Sequence, residues 1–177
     1  PALARRIAGR VKELEHQGYA FEGAEASFEL LVHRARGHEP PFILVDYIAL
    51  VEQREGRSLV CEATVKMRIG AEIVHTVAEG NGPVNAIDAA LRKALLPSFP
   101  EIATMQLHDY KVRVLDGRDG TAAGVRVLIE SGDHRRRWST VGCSTNIIEA
   151  SWTALADAAE YCIVEARRAR EPEAATA

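Results

Sequence analysis

Cys61-Glu62-Ala63-Thr64-Val65-Lys66-Met67-Arg68-Ile69 alternates apolar and polar side chains without a break. Successive side chains of a strand point to opposite faces, so this run reads as a half-buried antiparallel strand, one face on a core and the other toward water. Its neighbours extend it into a unit. Phe42 to Val51 precedes it as another strand, across the connection Arg54-Glu55-Gly56-Arg57, and Gly70-Ala71 turns the chain into a third, Glu72 to Ala78. After Gly80-Asn81-Gly82, Pro83 takes a first helical position, where its missing N–H would be unpaired in any case. Val84, Ile87, Leu91 and Leu95 form one apolar helical face, closed by Pro97. The order is strand, strand, strand, helix.

The same order recurs. Met105 to Leu115 reads as a strand, Val125, Val127 and Ile129 alternate in the next, and Ser131-Gly132-Asp133 turns into a third, His134 to Val141. Asn146-Ile147-Ile148-Glu149 has the spacing of a capping box, opening a helix that runs to about Arg168. Strand positions match at an offset of 60 (Val65 with Val125, Ile69 with Ile129) and helix positions at 61 (Asn85 with Asn146, Ile87 with Ile148). A slightly longer second hairpin would account for the extra residue. The expected fold class is α+β: two repeated βββα units with pseudo-two-fold symmetry, antiparallel sheets packed with helices. Three strands and one helix cover only one face of a sheet, so the other face needs the second repeat or a second chain.

Upstream, Leu3, Ile7, Val11 and Leu14 recur at helical spacing, so residues 2–17 read as an amphipathic helix stopped by Gly18. A second helix is expected from about Glu22 to Ala35, ended by Gly37. The expected organisation is a helical lead-in over 1–37, a two-repeat domain over 38–170 divided into 38–100 and 101–170, and a disordered tail over 171–177.

The 177 residues carry a net charge of −3, with 47% hydrophobic and 27% charged residues, the balance of an ordinary globular domain. That balance argues against a dedicated nucleic-acid binder, whose phosphate contacts need an excess of positive charge. No window approaches the roughly 18 apolar residues of a membrane span, and the start lacks the apolar run of a signal peptide, so a cytoplasmic location is expected. Cys61, Cys143 and Cys162 are odd in number and contain no CxxC pair, which reads as reduced, mostly buried thiols. A start at Pro1, without methionine and already helical in pattern, reads as a piece of a longer polypeptide.

Chemistry-bearing motifs are sparse. His33 and His38 are close in sequence, but their spacing of five across Gly37 does not put them on one helical face, so no metal site is expected. His134-Arg135-Arg136-Arg137-Trp138 is the most basic run; on a strand its arginines split between two faces, and Trp138 falls to core or interface. No Gly-x-Ser-x-Gly elbow or Cys–His arrangement stands out, so no catalytic residue is expected. The Gly80-Asn81-Gly82 turn has one physical capability. Its glycines permit positive φ, and the free N–H groups of the following helix suit a carboxylate or phosphate. The same glycines suit a tight turn that packs the helix back on its sheet.

Three motifs carry a resemblance: Gly80-Asn81-Gly82-Pro83-Val84-Asn85-Ala86, then His108-Asp109-Tyr110-Lys111-Val112, then Gly142-Cys143-Ser144-Thr145-Asn146-Ile147-Ile148-Glu149-Ala150. In this order and spacing they resemble the C-terminal regulatory region of the citramalate synthase and 2-isopropylmalate synthase family. Glu13 to Leu31 resembles the linker before that region in the citramalate synthase branch. The resemblance spans about residues 11–168. It implies an allosteric dimerisation domain that works as a homodimer and binds an end-product amino acid, isoleucine in one branch and leucine in the other. A purely structural dimerisation module is the further alternative. The resemblance also implies that a divalent metal and acetyl-CoA belong to a TIM barrel with Claisen-type condensation activity, none of which is in these residues. Carried over, the effector residues would be Val84, Asn85, Leu107, Tyr110, Val114, Thr121 and Ala123, with Gly80, Asn81 and Gly82 as the carboxylate-holding turn. Small and branched residues shape a cavity for an aliphatic side chain, while turn amides or Thr121 hold the charged end. Cys143 departs from the small aliphatic residue expected in its turn.

Overall fold

The computed structural model describes residues 2–174. In chain order the elements are α1 (Ala2–His16), α2 (Glu25–Ala35), β1 (Ile43–Glu52), β2 (Val60–Ile69), β3 (Glu72–Gly80), α3 (Pro83–Leu95), β4 (Gln106–Val114), β5 (Val125–Gly132), β6 (Arg137–Ser144) and α4 (Ile147–Ala174), with short 3-10 turns at Pro100–Thr104 and Gly117–Ala122. The fold is α+β with two antiparallel three-stranded sheets, β1-β2-β3 and β4-β5-β6. Of the tail expected over 171–177, residues 175–177 lie outside the described residues, and α4 runs on to Ala174 rather than stopping near Arg168.

The chain divides into two compact units. The first-repeat unit holds Pro41–Ala103 and the residues from Cys162 onward. Here Cys61, Ala63, Val65 and Met67 on β2 are buried, as are Ala86, Ile87, Ala90, Leu91, Ala94 and Leu95 on α3. The alternation of β2 and the 3.6-residue period of α3 therefore meet in one core. Thr76 Oγ1 donates to the Ala90 carbonyl at 2.8 Å, tying β3 to the helix. Along the end of α4, the Arg167 guanidinium lies 5.4 Å from the Phe99 ring centroid and Arg170 pairs with Glu101 at 3.3 Å.

The second-repeat unit holds the residues up to Pro40 and Thr104–Tyr161. Val127 and Ile129 on β5, Trp138 on β6, and Ala150, Ala154, Leu155 and Ala158 on α4 are buried. Trp138 belongs to the core, its Nε1 donating to the Ala158 carbonyl at 3.2 Å. The lead-in helices attach to this unit through specific polar contacts. Along the edge of β6, the Ser139 N–H donates to Glu25 and the Val141 N–H to Ser27 Oγ, each at 3.0 Å. Ser27 Oγ donates to Asp157 at 2.7 Å, and Arg34 spans Asp157 at 2.7 Å and Glu160 at 2.5 Å. Arg126 Nε donates to the Gly18 carbonyl at 2.6 Å.

The repeat is real, but its offset is corrected. Val65 pairs with Thr76 as Ile129 pairs with Thr140, and Thr140 Oγ1 donates to the Ala154 carbonyl as Thr76 Oγ1 does to that of Ala90. Strands two and three and the helix therefore correspond at an offset of 64, not 60 or 61. In the first strand Tyr47 pairs with Val65 and Tyr110 with Ile129, an offset of 63. The extra residue thus lies in the β4–β5 connection, and the two hairpins between later strands are equal in length. The errors have a physical origin. A shift of four preserves the two-residue alternation of a strand, and a shift of three is close to one helical turn, so the wrong registers keep the same faces in phase. The second hairpin also corrects the start of β6: Asp133 accepts from the Arg135 and Arg136 N–H groups at 2.7 and 3.0 Å, holding residues 133–136 as a turn and delaying the strand from His134 to Arg137.

Candidate functional site

The ten residues expected at the effector site fall into two groups, one per unit. Gly80, Asn81, Gly82, Val84 and Asn85 belong to the first-repeat unit, and Leu107, Tyr110, Val114, Thr121 and Ala123 to the second.

In the first group the close approach of strand to helix depends on Gly80. A Cβ there would stand 2.4 Å from the Ala86 backbone nitrogen, which real side chains do not tolerate. Neither Gly80 nor Gly82 uses the positive φ that glycine permits: Gly80 serves proximity. Gly82 caps α3 in an extended conformation with open space around it and no side-chain cap. Its carbonyl accepts from Ala86 N at 2.9 Å, and Pro83 has no N–H to offer. Asn85 reaches back, its Oδ1 accepting from the Asn81 N–H at 3.0 Å, so it holds the shape of the turn. The first-turn amides of α3 thus start without a side-chain acceptor, at the end of the helix where the backbone dipoles favour an anion.

The corresponding start of α4 differs. Asn146 Oδ1 accepts from the Ile148 N–H at 2.8 Å, and the Asn146 N–H donates to Ser144 Oγ at 2.9 Å. Ser144 Oγ in turn donates to Glu149 at 2.5 Å. The capping box is therefore relayed through Ser144, because Glu149 does not close it on Asn146 directly. Cys143, half-buried on β6, has its thiol pushed up by burial against the opposing pull of Arg126.

In the second group, β-sheet register decides which residues share a face. Leu107 and Tyr110 are three apart, which in a regular strand would put them on opposite faces. The pairing shifts between Leu107 and Asp109, so Leu107 faces with Ser131, Tyr110 with Ile129 and Val114 with Val125, all on the side toward α4. The Tyr110 hydroxyl is 2.7 Å from Ser151 Oγ, which donates to the Ile147 carbonyl. Tyr110 is thereby tied to the first turns of α4. Thr121 is exposed on the 3-10 turn, and Ala123 is buried.

A feature that the sequence reading passed over is the outer face of the β1-β2-β3 sheet, away from α3. Ile48 and Val77 flank Thr64 there, and Leu50 and Ile73 share the face. Ile48 is 65% exposed, Leu50 53%, Ile73 52% and Val77 43%. Alternation on β1 was the available signal, but apolar residues fall in both alternating sets there, Asp46 and Glu52 sharing one of them with Ile48 and Leu50. Among the described residues no helix is long and apolar enough to cross a membrane, and no group of three His, Cys, Asp or Glu side chains could hold a metal ion.

Residues 22–163 match the family model of the LeuA allosteric (dimerisation) domain. Over 157 residues the chain is 53% identical to an (R)-citramalate synthase of Geobacter sulfurreducens, covering 88% of this chain and 30% of that protein. An (R)-citramalate synthase of Synechocystis sp. is 49% identical over 164 residues, 89% of this chain and 30% of its own length. A 2-isopropylmalate synthase of Shewanella amazonensis is 27% identical over 172 residues, 92% of this chain and 29% of its own. The chain spans about three tenths of the length of these curated relatives.

Proposed function

The chain belongs to the LeuA allosteric (dimerisation) domain family, and from that premise we propose that it is the regulatory part of a citramalate synthase, binding isoleucine as the end product that feedback-inhibits the enzyme. The single observation that carries the isoleucine reading is the difference in identity: 53% to a citramalate synthase against 27% to a 2-isopropylmalate synthase. The second reading, a leucine sensor of the 2-isopropylmalate synthase branch, follows from the same family. Isoleucine and leucine differ only in which carbon carries the branch, and even a whole extra or missing methylene changes the fit to a hydrophobic pocket by only about 1 to 3 kcal/mol.

The amino acid's carboxylate would sit against the first-turn amides of α3, where no side chain caps the helix. Gly80 keeps the strand end against those amides, and Asn85 holds the turn in shape. Condensation of acetyl-CoA with a 2-oxo acid, and the divalent metal it uses, would belong to the part of the parent enzyme outside this chain. Binding in this domain alters that chemistry only through unequal affinity for two domain arrangements, a coupling typically of about 1 to 3 kcal/mol. The lead-in over 1–37 would transmit the shift. The homodimer would form through the outer face of β1-β2-β3, whose exposed Ile48, Leu50, Ile73 and Val77 suit burial against a second copy.

Calorimetric titration of this chain with isoleucine, leucine and valine tests the reading. Saturable heat strongest with isoleucine is expected. A preference for leucine transfers the chain to the second branch, and a folded dimer that binds none of the three is a structural dimerisation module.

A further inference from the structure

A cavity of about 440 Å3 lies within the second-repeat unit, between α1, the turn after it and α2. We propose that it is a binding site for a small amphiphilic anion, a molecule with one carboxylate, phosphate or sulfonate group on a short apolar body. The volume is within the ordinary range of small-ligand pockets. Ile7 and Leu14 from one stripe of α1 face Phe21 and Leu31 across it. No residue of α1 is buried, so the apolar stripe of this helix is left partly wet. An apolar guest would remove that surface from water.

Charge is distributed unequally along the walls. Arg6 and Arg10 stand one turn apart on α1 beside the apolar stripe. Arg10 pairs with Glu13 at 3.0 Å in an exposed contact of the kind worth little, and Arg6 makes no ion pair among the described residues. Arg34, also on the wall, is already bound by two carboxylates, Asp157 and Glu160, at 2.7 and 2.5 Å. Of these two carboxylates Asp157 lines the cavity, so that end presents a carboxylate beside a cation that is already paired. An anionic head is therefore drawn to Arg6 and Arg10 and repelled from Asp157, while the body lies against Phe21 and Leu31. This polarity selects an amphiphile over a plain hydrocarbon or a plain ion. The cavity is lined by the second-repeat unit alone, and the turn at Gly80–Asn85 belongs to the first-repeat unit.

The test is titration of the chain with 8-anilinonaphthalene-1-sulfonate, followed by fluorescence and by backbone amide NMR, beside the uncharged N-phenyl-1-naphthylamine. Saturable binding of the sulfonate dye is expected, with shifted amides in residues 6–35 and around Thr153 and Asp157. The exposed double change R6Q/R10Q should weaken the sulfonate dye about tenfold and the neutral dye less than about twofold. R6K/R10K, which keeps the charges, should restore it. Unchanged sulfonate affinity in R6Q/R10Q, absence of saturable binding, or amide shifts confined to the outer face of β1-β2-β3 would overturn the proposal.

Discussion

The two repeats share a ladder and a helix register and differ in what is laid over them. In the second, α2 supplies Glu25 and Ser27 to the edge of β6 and Arg34 to Asp157 and Glu160 on α4. At the offset of 64, the positions corresponding to Asp157 and Glu160 are Lys93 on α3 and Leu96 just past its end, both exposed. The outer face of the first sheet sets exposed Ile48, Leu50, Ile73 and Val77 among charged Asp46, Glu62, Lys66 and Arg68, whereas on the second Lys111, Arg113, Arg126 and Glu130 surround one aliphatic side chain that is not buried, Leu128. The helix starts diverge in the same sense, α4 being capped by Asn146 and α3 having no side-chain cap. The two repeats have the core in common and differ at their surfaces. The second repeat anchors the lead-in, and the first keeps exposed an aliphatic cluster among charged side chains and a helix start.

That division is most sharply tested at Arg34. Arg34→Gln leaves Asp157 and Glu160 buried with one cation fewer, and breaking such a pair costs about 3 to 5 kcal/mol when fully buried. Arg34 is 41% exposed, so a loss of about 2 to 3 kcal/mol in urea unfolding is expected. Lys93→Gln, on the matching face of α3, should stay within about 0.5 kcal/mol. Equal losses would erase the distinction between anchored and open repeats. Next in size is the aliphatic cluster on the first sheet. Ile48→Asp should weaken self-association by about 2 kcal/mol, roughly thirtyfold in Kd by analytical ultracentrifugation. Lys111→Asp, on the outer face of the second sheet, should leave it unchanged; the reverse result would place the dimer contact on the second repeat.

A smaller effect separates the two helix starts. Asn146→Ala removes a cap and should cost about 1 kcal/mol. Gly82→Asn gives α3 the residue that α4 has at the corresponding place, in extended backbone with open space around it. It should gain only a few tenths of a kcal/mol in stability, since glycine is itself a tolerable cap. If the α3 amides receive the effector carboxylate, the same change should weaken amino-acid binding severalfold in calorimetry. Unaltered binding would move the carboxylate elsewhere.

What could be read from sequence follows the range of the interaction. The βββα order was legible because alternation on β2 and the helical period of α3 are local signals. The turn at Gly80–Asn85 was legible as a unit for the same reason, and Asn146 as a cap. The offset between repeats was not, because alternation and helical period tolerate slips of four and three. The shared face of Leu107, Tyr110 and Val114 follows from an irregularity in pairing at His108, which a single strand's sequence does not display. Nor could the lead-in's role at the β6 edge be read, since Ser27 and Val141 are 114 residues apart.

The smallest expected effect concerns the hairpins of equal length. In the first, Gly70 turns the chain with φ of 59° and no titratable side chain. In the second, the turn is held by the Asp133 carboxylate. Partial burial raises the pKa of this group, but the Arg135 and Arg136 amides and the nearby guanidinium of Arg136 outweigh it and hold the carboxyl below its ordinary value. A carboxylate with a depressed folded-state pKa stabilises the fold above its unfolded value and loses that contribution as pH falls through the folded one. Asp133 should therefore contribute fully at about pH 6 and progressively less below about pH 4. The stability gap between the parent chain and Asp133→Asn should narrow over that interval in urea unfolding. Gly70→Asn, an uncharged change in the other hairpin, should shift stability by the same amount at both pH values. A gap for Asp133→Asn that stays constant with pH would mean the turn is held by backbone geometry alone, as in the first repeat.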